Sequence, residues 1–210
     1  MRRCLVRSRR IVPILVWLVM CCGTGVASPA SGEGPACHPA ELFAAAPLDD
    51  SQLFELQADV ALALTGAVVT GSTPVDGVFW STELQQITDE RSREFHLCVV
   101  DEPALHAAAE ALARQFNQEA VLTFDYLPHN EANAVAITVP DIDITRFRAA
   151  FVADSAAHHR LLGGSVTTAD RTLILVAGND DLDIARRLVG DAGGSWSAAT
   201  IAYGRREFAD

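Results

Sequence analysis

In the last two thirds of the chain, apolar residues recur at the spacings that are typical of strands and helices. Runs with a period of two predict strands, and apolar residues three or four positions apart predict helices that bury one face. One such helical stripe follows Pro103, a residue that suits the first turn of a helix, and consists of Leu105, Ala109, Leu112 and Phe116. The predicted strands cover residues 93–100, 120–127, 134–139, 164–168, 171–178 and 197–208, and the predicted helices begin near residues 103, 143 and 180.

The region before residue 93 is less regular. Residues 49–66 predict a helix, and residues 78–87 predict a strand. Residues 28–48 contain four prolines and no lasting period, which indicates an extended leader. In the predicted helix, the apolar stripe that we expect to be buried consists of Leu53, Leu56, Val60 and Leu64.

Strands and helices therefore alternate as three strand-helix-strand units, over about residues 93–128, 133–168 and 171–207. Two such units in succession give the β-α-β-β-α-β order of ferredoxin-like folds, the split βαβ arrangement. We predict a single α+β domain over residues 49–210, in which the helices cover mainly one face of an antiparallel sheet. The third βαβ unit then extends that sheet or pairs with the strand near Phe79. The alternative is a three-layer α/β arrangement with helices on both faces.

Residues 1–27 predict a secretory signal peptide. Five arginines precede the apolar run Ile11–Cys22, and small residues follow it, so that cleavage is expected after Ala27 or Ala30. The alternative is an uncleaved anchor, but this run of twelve residues is short against the roughly 20 that cross a bilayer. We expect a secreted or periplasmic protein with no integral membrane segment after cleavage.

Cleavage after Ala27 also makes the protein more acidic. The whole chain carries a net charge of −11, and the signal segment contains five of its 16 basic residues and none of its 27 acidic ones, which leaves −16. Nucleic acid and anionic membrane surfaces repel such a protein, so neither is expected as a partner. The expected partner is a protein or a small-molecule ligand.

The same cleavage leaves Cys37 and Cys98 from the five cysteines of the chain. Because an exported protein meets an oxidising compartment, we predict a disulfide between them, which would tie the leader to the first strand of the regular region. The alternative is that Cys98 is a free, buried small hydrophobic residue.

The sequence contains no complete catalytic motif that we recognise. The stretches "GGSVT" at Gly163 and "GGSWS" at Gly193 lack the closing glycine of a nucleophile elbow. Neither His38 nor His106 has the second histidine of a zinc-binding HExxH helix. We therefore expect no cofactor.

Histidines suggest one candidate metal site. In the predicted β-α-β-β-α-β order, the turn "LPHNEAN" at residues 127–133 and the end of the helix that begins near residue 143 lie at the same pole of the sheet. Two histidines and a carboxylate form a usable zinc or iron site. The alternative is that the turn is a solvated loop and that the helix dipole favours the histidines at its end. The candidate ligands are His129, Glu131, His158 and His159.

These observations favour an exported, non-enzymatic binding or protein-interaction module. One alternative is a metal-dependent hydrolase-type enzyme that uses the four candidate ligands. The other is an inhibitor or immunity-like protein, whose acidic surface would steer it to a basic partner.

N-terminal sequencing of the exported protein tests the signal peptide. We expect Ser28 or Ser31 as the first residue, since the small residues before these positions suit signal peptidase. A mature protein that begins at Met1 would contradict the prediction.

Overall fold

The computed structural model describes residues 36–47 and 52–209. The predicted signal peptide, residues 1–27, lies outside these residues. The strands are β1 His38–Ala45, β2 Val68–Ser81, β3 Gln86–Val99, β4 Val121–Tyr126, β5 Ala134–Val139, β6 Gly163–Thr167, β7 Leu173–Gly178 and β8 Thr200–Ala209. The helices are α1 Gln52–Ala63, α2 Glu102–Phe116, α3 Ile144–Ala153, α4 Ser155–Arg160 and α5 Leu182–Asp191. Short 3₁₀ turns occur at Asn179–Asp181 and Trp196–Ala198.

In the described part of the chain, eight strands form a closed antiparallel barrel in the order β1-β3-β2-β6-β7-β5-β8-β4. Each half of the chain supplies four neighbouring strands, β4-β1-β3-β2 from the first half and β8-β5-β7-β6 from the second. Two ladders join the halves, one between β2 and β6 and the other between β4 and β8. Closure therefore gives every strand two hydrogen-bonded neighbours.

The predicted open, ferredoxin-like sheet with a third βαβ unit is wrong, because the strands close into a barrel. The prediction missed β1, which lies within residues 28–48, and its strand over residues 78–87 spans the end of β2, the turn that follows and the start of β3. Without these strands the first half has no complete set of four, and the remaining elements appear as three units. The predicted leader also needs correction, because the folded chain begins before residue 49.

The helices cover one face of each group of four strands. In the first half, α1 and α2 bury apolar residues of β1 and β3, among them Leu42 and Phe95. In the second half, α3 and α5 bury the stripe Val135, Ile137 and Val139 of β5. Because side chains alternate along a strand, the other face of every strand turns toward the barrel interior. A small apolar cluster that includes Phe124, Ala134, Ala136 and Val176 forms on that inner face.

Helix α1 buries a different face from the one that its sequence predicts. Leu53, Leu56, Val60 and Leu64 are between 55% and 84% exposed. The buried residues are Phe54, Ala58 and Leu62, which also lie on one helical stripe. Both stripes have helical spacing, so packing decides between them. The small Ala58 allows the helix to approach the sheet, while the Phe54 ring centroid lies 4.4 Å from that of Phe116 on α2.

The predicted helix after residue 143 begins as expected and is then interrupted. Asp143 caps α3 and accepts hydrogen bonds from the backbone nitrogens of Thr145 and Arg146 at 3.0 and 3.2 Å. The chain becomes extended at Asp154, whose carboxylate caps α4. None of the described helices is long and apolar enough to span a membrane.

The predicted disulfide is confirmed, and it joins Cys37 to Cys98. Cys37 directly precedes β1, and His38 pairs with Val99 in the ladder between β1 and β3. The bond therefore fastens the start of β1 to the strand beside it.

Replacing both cysteines by alanine should lower the free energy of unfolding by about 4 kcal/mol, because the bond closes a long loop in the unfolded chain. Urea unfolding at neutral pH measures the difference. A reducing agent should destabilise the wild-type protein by a similar amount and leave the double variant unchanged. Equal stability of the oxidised wild-type and variant proteins would contradict this prediction.

Candidate active site

The inner faces of the strands line a cavity of about 810 Å³. Its volume falls within the usual range of small-molecule sites. Polar groups in its wall include Ser92, Ser165 and Arg206. The apolar part of the wall consists largely of Phe43, Phe79, Leu122, Ile174, Val176 and Phe208.

Two glycines give the ring of Phe79 its place in this wall. A Cβ atom on Gly77 would lie 2.2 Å from Cε2 of the ring, and one on Gly163 would lie 2.3 Å from Cδ1. Gly163 pairs with Phe79 across β2 and β6 and has a φ of +156°. A larger residue at either position would force the ring to move.

A connected group of polar side chains lies on the inner faces of β1 to β4. The Tyr126 hydroxyl donates to Oε1 of Glu41 at 3.2 Å, and Oε2 of Glu41 lies 2.7 Å from Nδ1 of His96. Nε2 of His96 lies 3.1 Å from Oγ1 of Thr73. Glu94 belongs to the same group, because a carboxylate oxygen of each glutamate and a ring nitrogen of His96 lie within 4.8 Å of one another. We call these five residues the inner polar cluster.

The inner polar cluster borders the cavity. Ser92, Glu94 and His96 occupy alternate positions of β3, so their side chains face the same side of the sheet. Ser92 lines the cavity, and so does Phe43, which pairs with Glu94 across β1 and β3. Glu94 therefore lies in the same layer of the barrel as Phe43, beside the residues that line the cavity, and Glu41 and His96 form the next layer.

The environment of Glu94 disfavours its charge. Its relative exposure is 7%, and its pKa is raised to about 7, first by burial and then by the charge of Glu41. The charge of His96 acts in the opposite direction. Near neutral pH both forms of this carboxyl are populated, as general acid–base catalysis requires.

Glu41 also raises the pKa of its two hydrogen-bonding neighbours. For His96 the main cause is the hydrogen bond to Glu41, which outweighs the opposing effect of partial burial. The pKa of Tyr126 rises because of burial first, and then through the charge of Glu41 and the hydrogen bond to it. The network thus favours a cationic imidazole and a neutral phenol beside the carboxylate of Glu41.

The order carboxylate, imidazole, hydroxyl from Glu41 through His96 to Thr73 is also the order of groups in nucleophilic hydrolases. A nucleophile there would be the Thr73 hydroxyl, activated by His96. Base catalysis would instead use the Glu94 carboxyl. Substitution of Thr73 therefore separates the two chemistries.

Two groups of side chains in the described residues have spacing that suits a metal ion. In the group Glu41, Glu94 and His96, both ring nitrogens and both Glu41 oxygens already have hydrogen-bond partners. Because these hydrogen bonds already occupy the atoms that would bind a metal ion, the group is better suited to holding or transferring a proton.

The second group lies between α2 and β8 and consists of Glu102, His106 and Glu207. His106 is hydrogen-bonded to Glu207, and the Arg205 guanidinium lies 2.8 Å from Glu102. A cation at this position would meet the positive charge of Arg205.

The four residues predicted as metal ligands have other contacts. The ring of His129 meets the Tyr203 ring edge-on, with the centroids 4.4 Å apart. The ring of His158 stacks on that of Trp80 at 5.0 Å, and His159 also contacts Trp80. His158 and His159 are thus brought together, but no ring contact in the described residues joins them to His129.

Glu131 lies in the turn, where its backbone nitrogen donates to the carbonyl of Pro128 at 2.9 Å. The metal-compatible groups among the described residues include none of the four predicted ligands. A metal role for them stays a prediction.

The inner polar cluster was not predicted from the sequence. The available signal was a set of ionisable residues at alternate positions of otherwise apolar strands, such as Glu94 and His96 in "REFHLCVV". Glu41 was missed because its strand was interpreted as part of the leader. Only the pairing of β1 with β3 places Glu41 beside His96.

Comparisons with known proteins add three solved structures. No protein family model and no curated protein matches the chain. A "putative monooxygenase" from Lactobacillus acidophilus NCFM is 11% identical over 81% of this chain and 95% of its own, with a TM-score of 0.28. A "putative monooxygenase" from Fusobacterium nucleatum subsp. nucleatum ATCC 25586 is 8% identical over 82% and 93%, with a TM-score of 0.26. An "anthrone oxidase-like protein" is 9% identical over 84% and 94%, also with a TM-score of 0.26.

The expected non-enzymatic function conflicts with the names of these three structures, which are those of enzymes or of an enzyme-like protein. The inner polar cluster beside a cavity points in the same direction. At TM-scores of 0.26 to 0.28 the likeness carries no argument about the function of this chain.

The raised pKa of Glu94 predicts a pH-dependent effect of the substitution Glu94→Gln. Between pH 4.5 and about 7 the unfolded chain ionises at Glu94 while the folded protein keeps the proton, so the wild-type protein loses stability as the pH rises. Glutamine stays neutral. The variant should therefore gain stability relative to the wild type across this range, by up to about 3 kcal/mol above pH 7.

Urea unfolding at pH 5, 6, 7 and 8 measures this difference. The control is Glu90→Gln, an exposed position on the same face of β3, where the difference from the wild type should not change in this way with pH. A difference for Glu94→Gln that is constant from pH 5 to 8 would show that Glu94 is not held neutral by its surroundings.

Proposed function

We propose that this protein is an enzyme that removes a proton from a small, largely apolar carbon acid bound in the barrel cavity, with Glu94 as the general base. The observation that carries the proposal is the position of Glu94, a buried carboxyl with a pKa of about 7 beside a cavity. A base with a pKa near the working pH is partly deprotonated and still strong enough to accept a proton from carbon.

The lining of the cavity supports an apolar substrate. Aromatic and aliphatic side chains such as Phe43, Leu122 and Val176 form most of its deeper wall. Burial of an apolar molecule against them supplies binding energy, while exclusion of water strengthens the electrostatic interactions of Glu94 and His96. Substrates of this class are aromatic or alicyclic ketones with an activated methylene group.

The proposed step is a simple proton transfer. A C–H bond next to a carbonyl breaks, its proton moves to a carboxylate oxygen of Glu94, and the electron pair is delocalised into the carbonyl as an enolate. The reverse transfer returns a proton to carbon. No electron leaves the substrate in this step, so it needs no oxidant.

His96 and Glu41 act as positioning residues in this proposal. The hydrogen bond from His96 to Glu41 favours the imidazolium form, and its positive charge stabilises the ionised form of Glu94 that accepts the proton. Tyr126 donates to Glu41 and thereby fixes the carboxylate that orients His96. These bonds keep the network in place before the substrate binds.

Hydrogen–deuterium exchange into 2-tetralone, a ketone with an activated methylene, tests the proposal by NMR in D₂O. The wild-type protein should accelerate exchange, with a rate that rises with pH and levels off above about 7 as Glu94 ionises. Glu94→Gln should reduce the acceleration by at least about 100-fold, the usual contribution of a general base. Anthrone, which the description of one of the three structures names, belongs to the same chemical class and serves as a second probe under nitrogen.

Two further variants make the exchange experiment specific. Glu110→Gln changes an exposed carboxylate on α2, far from the inner faces, and should leave the rate unchanged. Thr73→Val should lower the rate by less than about tenfold, because Thr73 contacts His96 and is not the base.

The proposal fails if Glu94→Gln retains the wild-type rate, or if Thr73→Val abolishes activity as Glu94→Gln does. It also fails if the purified protein holds a stoichiometric divalent metal that Glu94→Gln removes. In that case the inner polar cluster would be a metal site.

A further inference from the structure

Two neighbouring arginines on β8 have opposite surroundings. The side chain of Arg205 faces away from the barrel interior and lies 2.8 Å from Glu102 and 3.5 Å from Asp125. Arg206 lies on the opposite face of the strand and lines the cavity. The charge of the outward Arg205 is therefore balanced by two carboxylates, whereas Arg206 faces the cavity.

Arg206 is held in place by neutral groups. Its Nη1 donates to the backbone carbonyl of Val176 on β7 at 3.2 Å, and its backbone nitrogen donates to Oδ1 of Asn133 at 3.4 Å. In the part of the chain that the structure describes, its guanidinium forms no ion pair within 4.0 Å. The acidic residues of the cavity wall, Glu90 and Glu119, are exposed.

A guanidinium in this position favours an anionic ligand. Arginine keeps its charge in proteins and presents five N–H donors, of which the Val176 carbonyl uses one. Partial removal of that charge from water is costly unless an acceptor replaces the lost hydration. A carboxylate or enolate oxygen in the cavity would provide such an acceptor, and a carboxylate can form two parallel hydrogen bonds with the fork.

The register of the strands relates Arg206 to the inner polar cluster. Arg206 pairs with Phe124 of β4, and Phe124 pairs with Glu41 of β1. Two strand spacings separate the backbones of Arg206 and Glu41, about 10 Å in all. The ring of Phe124 belongs to the apolar cluster between them. A molecule in the cavity would therefore have the guanidinium of Arg206 in one part of its wall and the inner polar cluster beside another.

We propose that Arg206 is the specificity-determining residue of the cavity and binds an oxyanion of the substrate. The substrate would then be an apolar ring system that carries a carboxylate at one end, apart from the carbonyl whose neighbouring C–H bond reacts with Glu94. This inference rests on the proposed function for the reaction itself. The binding of the oxyanion is a separate property, which is measured without turnover.

Isothermal titration calorimetry at pH 6 with 2-naphthoate and its neutral analogue 2-naphthamide tests the proposal. The wild-type protein should bind the carboxylate more tightly than the amide. Arg206→Met should weaken 2-naphthoate binding by about 10- to 100-fold, the loss expected for hydrogen bonds to a charged group, and change 2-naphthamide binding by less than about threefold. Arg206→Lys should fall between them, because it keeps the charge and loses the planar fork.

The control is Arg114→Met, which removes the same charge from a position that is 74% exposed on α2 and should change neither affinity. Urea unfolding of each variant checks that the protein is folded. If Arg206→Met still binds 2-naphthamide, its cavity is intact. Equal losses for the two ligands, or a wild-type protein without preference for 2-naphthoate, would overturn the proposal.

The two proposals can fail separately. If 2-naphthoate binding depends on Arg206 but the wild-type protein catalyses no exchange into 2-tetralone, the oxyanion site stands and the proposed reaction does not. If Glu94→Gln abolishes exchange while Arg206→Met leaves 2-naphthoate binding unchanged, the reaction stands and the role of Arg206 does not.

Discussion

Pairing of strand edges between the two halves of the chain is the constraint on which this structure depends. Within each half, the four strands would leave two edges with unpaired backbone groups, β2 and β4 in the first and β6 and β8 in the second. The ladders between β2 and β6 and between β4 and β8 satisfy all four edges at once. Unpaired edges invite aggregation, and closure of a barrel removes them. It also creates an interior, which contains the cavity and which the inner polar cluster faces.

Closure also separates two kinds of environment along each strand. On β3, Phe95, Leu97 and Val99 pack under the helices, whereas Glu94 and His96 face inward between them. The outer face gains hydrophobic stabilisation, and the inner face retains ionisable groups at an energetic cost that hydrogen bonds reduce. Proteins tolerate such a cost mainly where a functional site needs it. The same alternation on β8 separates Arg205, with its two carboxylates, from Arg206 in the cavity wall.

Most elements of the last two thirds of the chain could be predicted, because their periods and caps are local properties. The stripe of β5 and the capping role of Asp143 depend on neighbours within a few residues. Helix α1 shows the limit of this reasoning, since two apolar stripes have helical spacing and only the fit of Phe54 against Phe116 selects one of them. Strand β1 was missed because the prolines of residues 28–48 disfavour a strand locally. The pairing of this strand with β3 and β4 outweighs the weak local preference of its sequence.

The sequence by itself determined the acidic charge, the cysteine pair that forms the disulfide, and the order of most strands and helices, because these follow from composition and short-range periodicity. The tertiary structure decided that the sheet closes, since ring closure depends on hydrogen bonds between strands that are far apart in the chain. It also decided the site. Glu41, Glu94, His96 and Tyr126 come from three strands, and the register of those strands brings the four side chains into one network. The hydrogen bonds of this network and the altered pKa values of Glu94, His96 and Tyr126 are properties of that proximity, and no residue carries them alone.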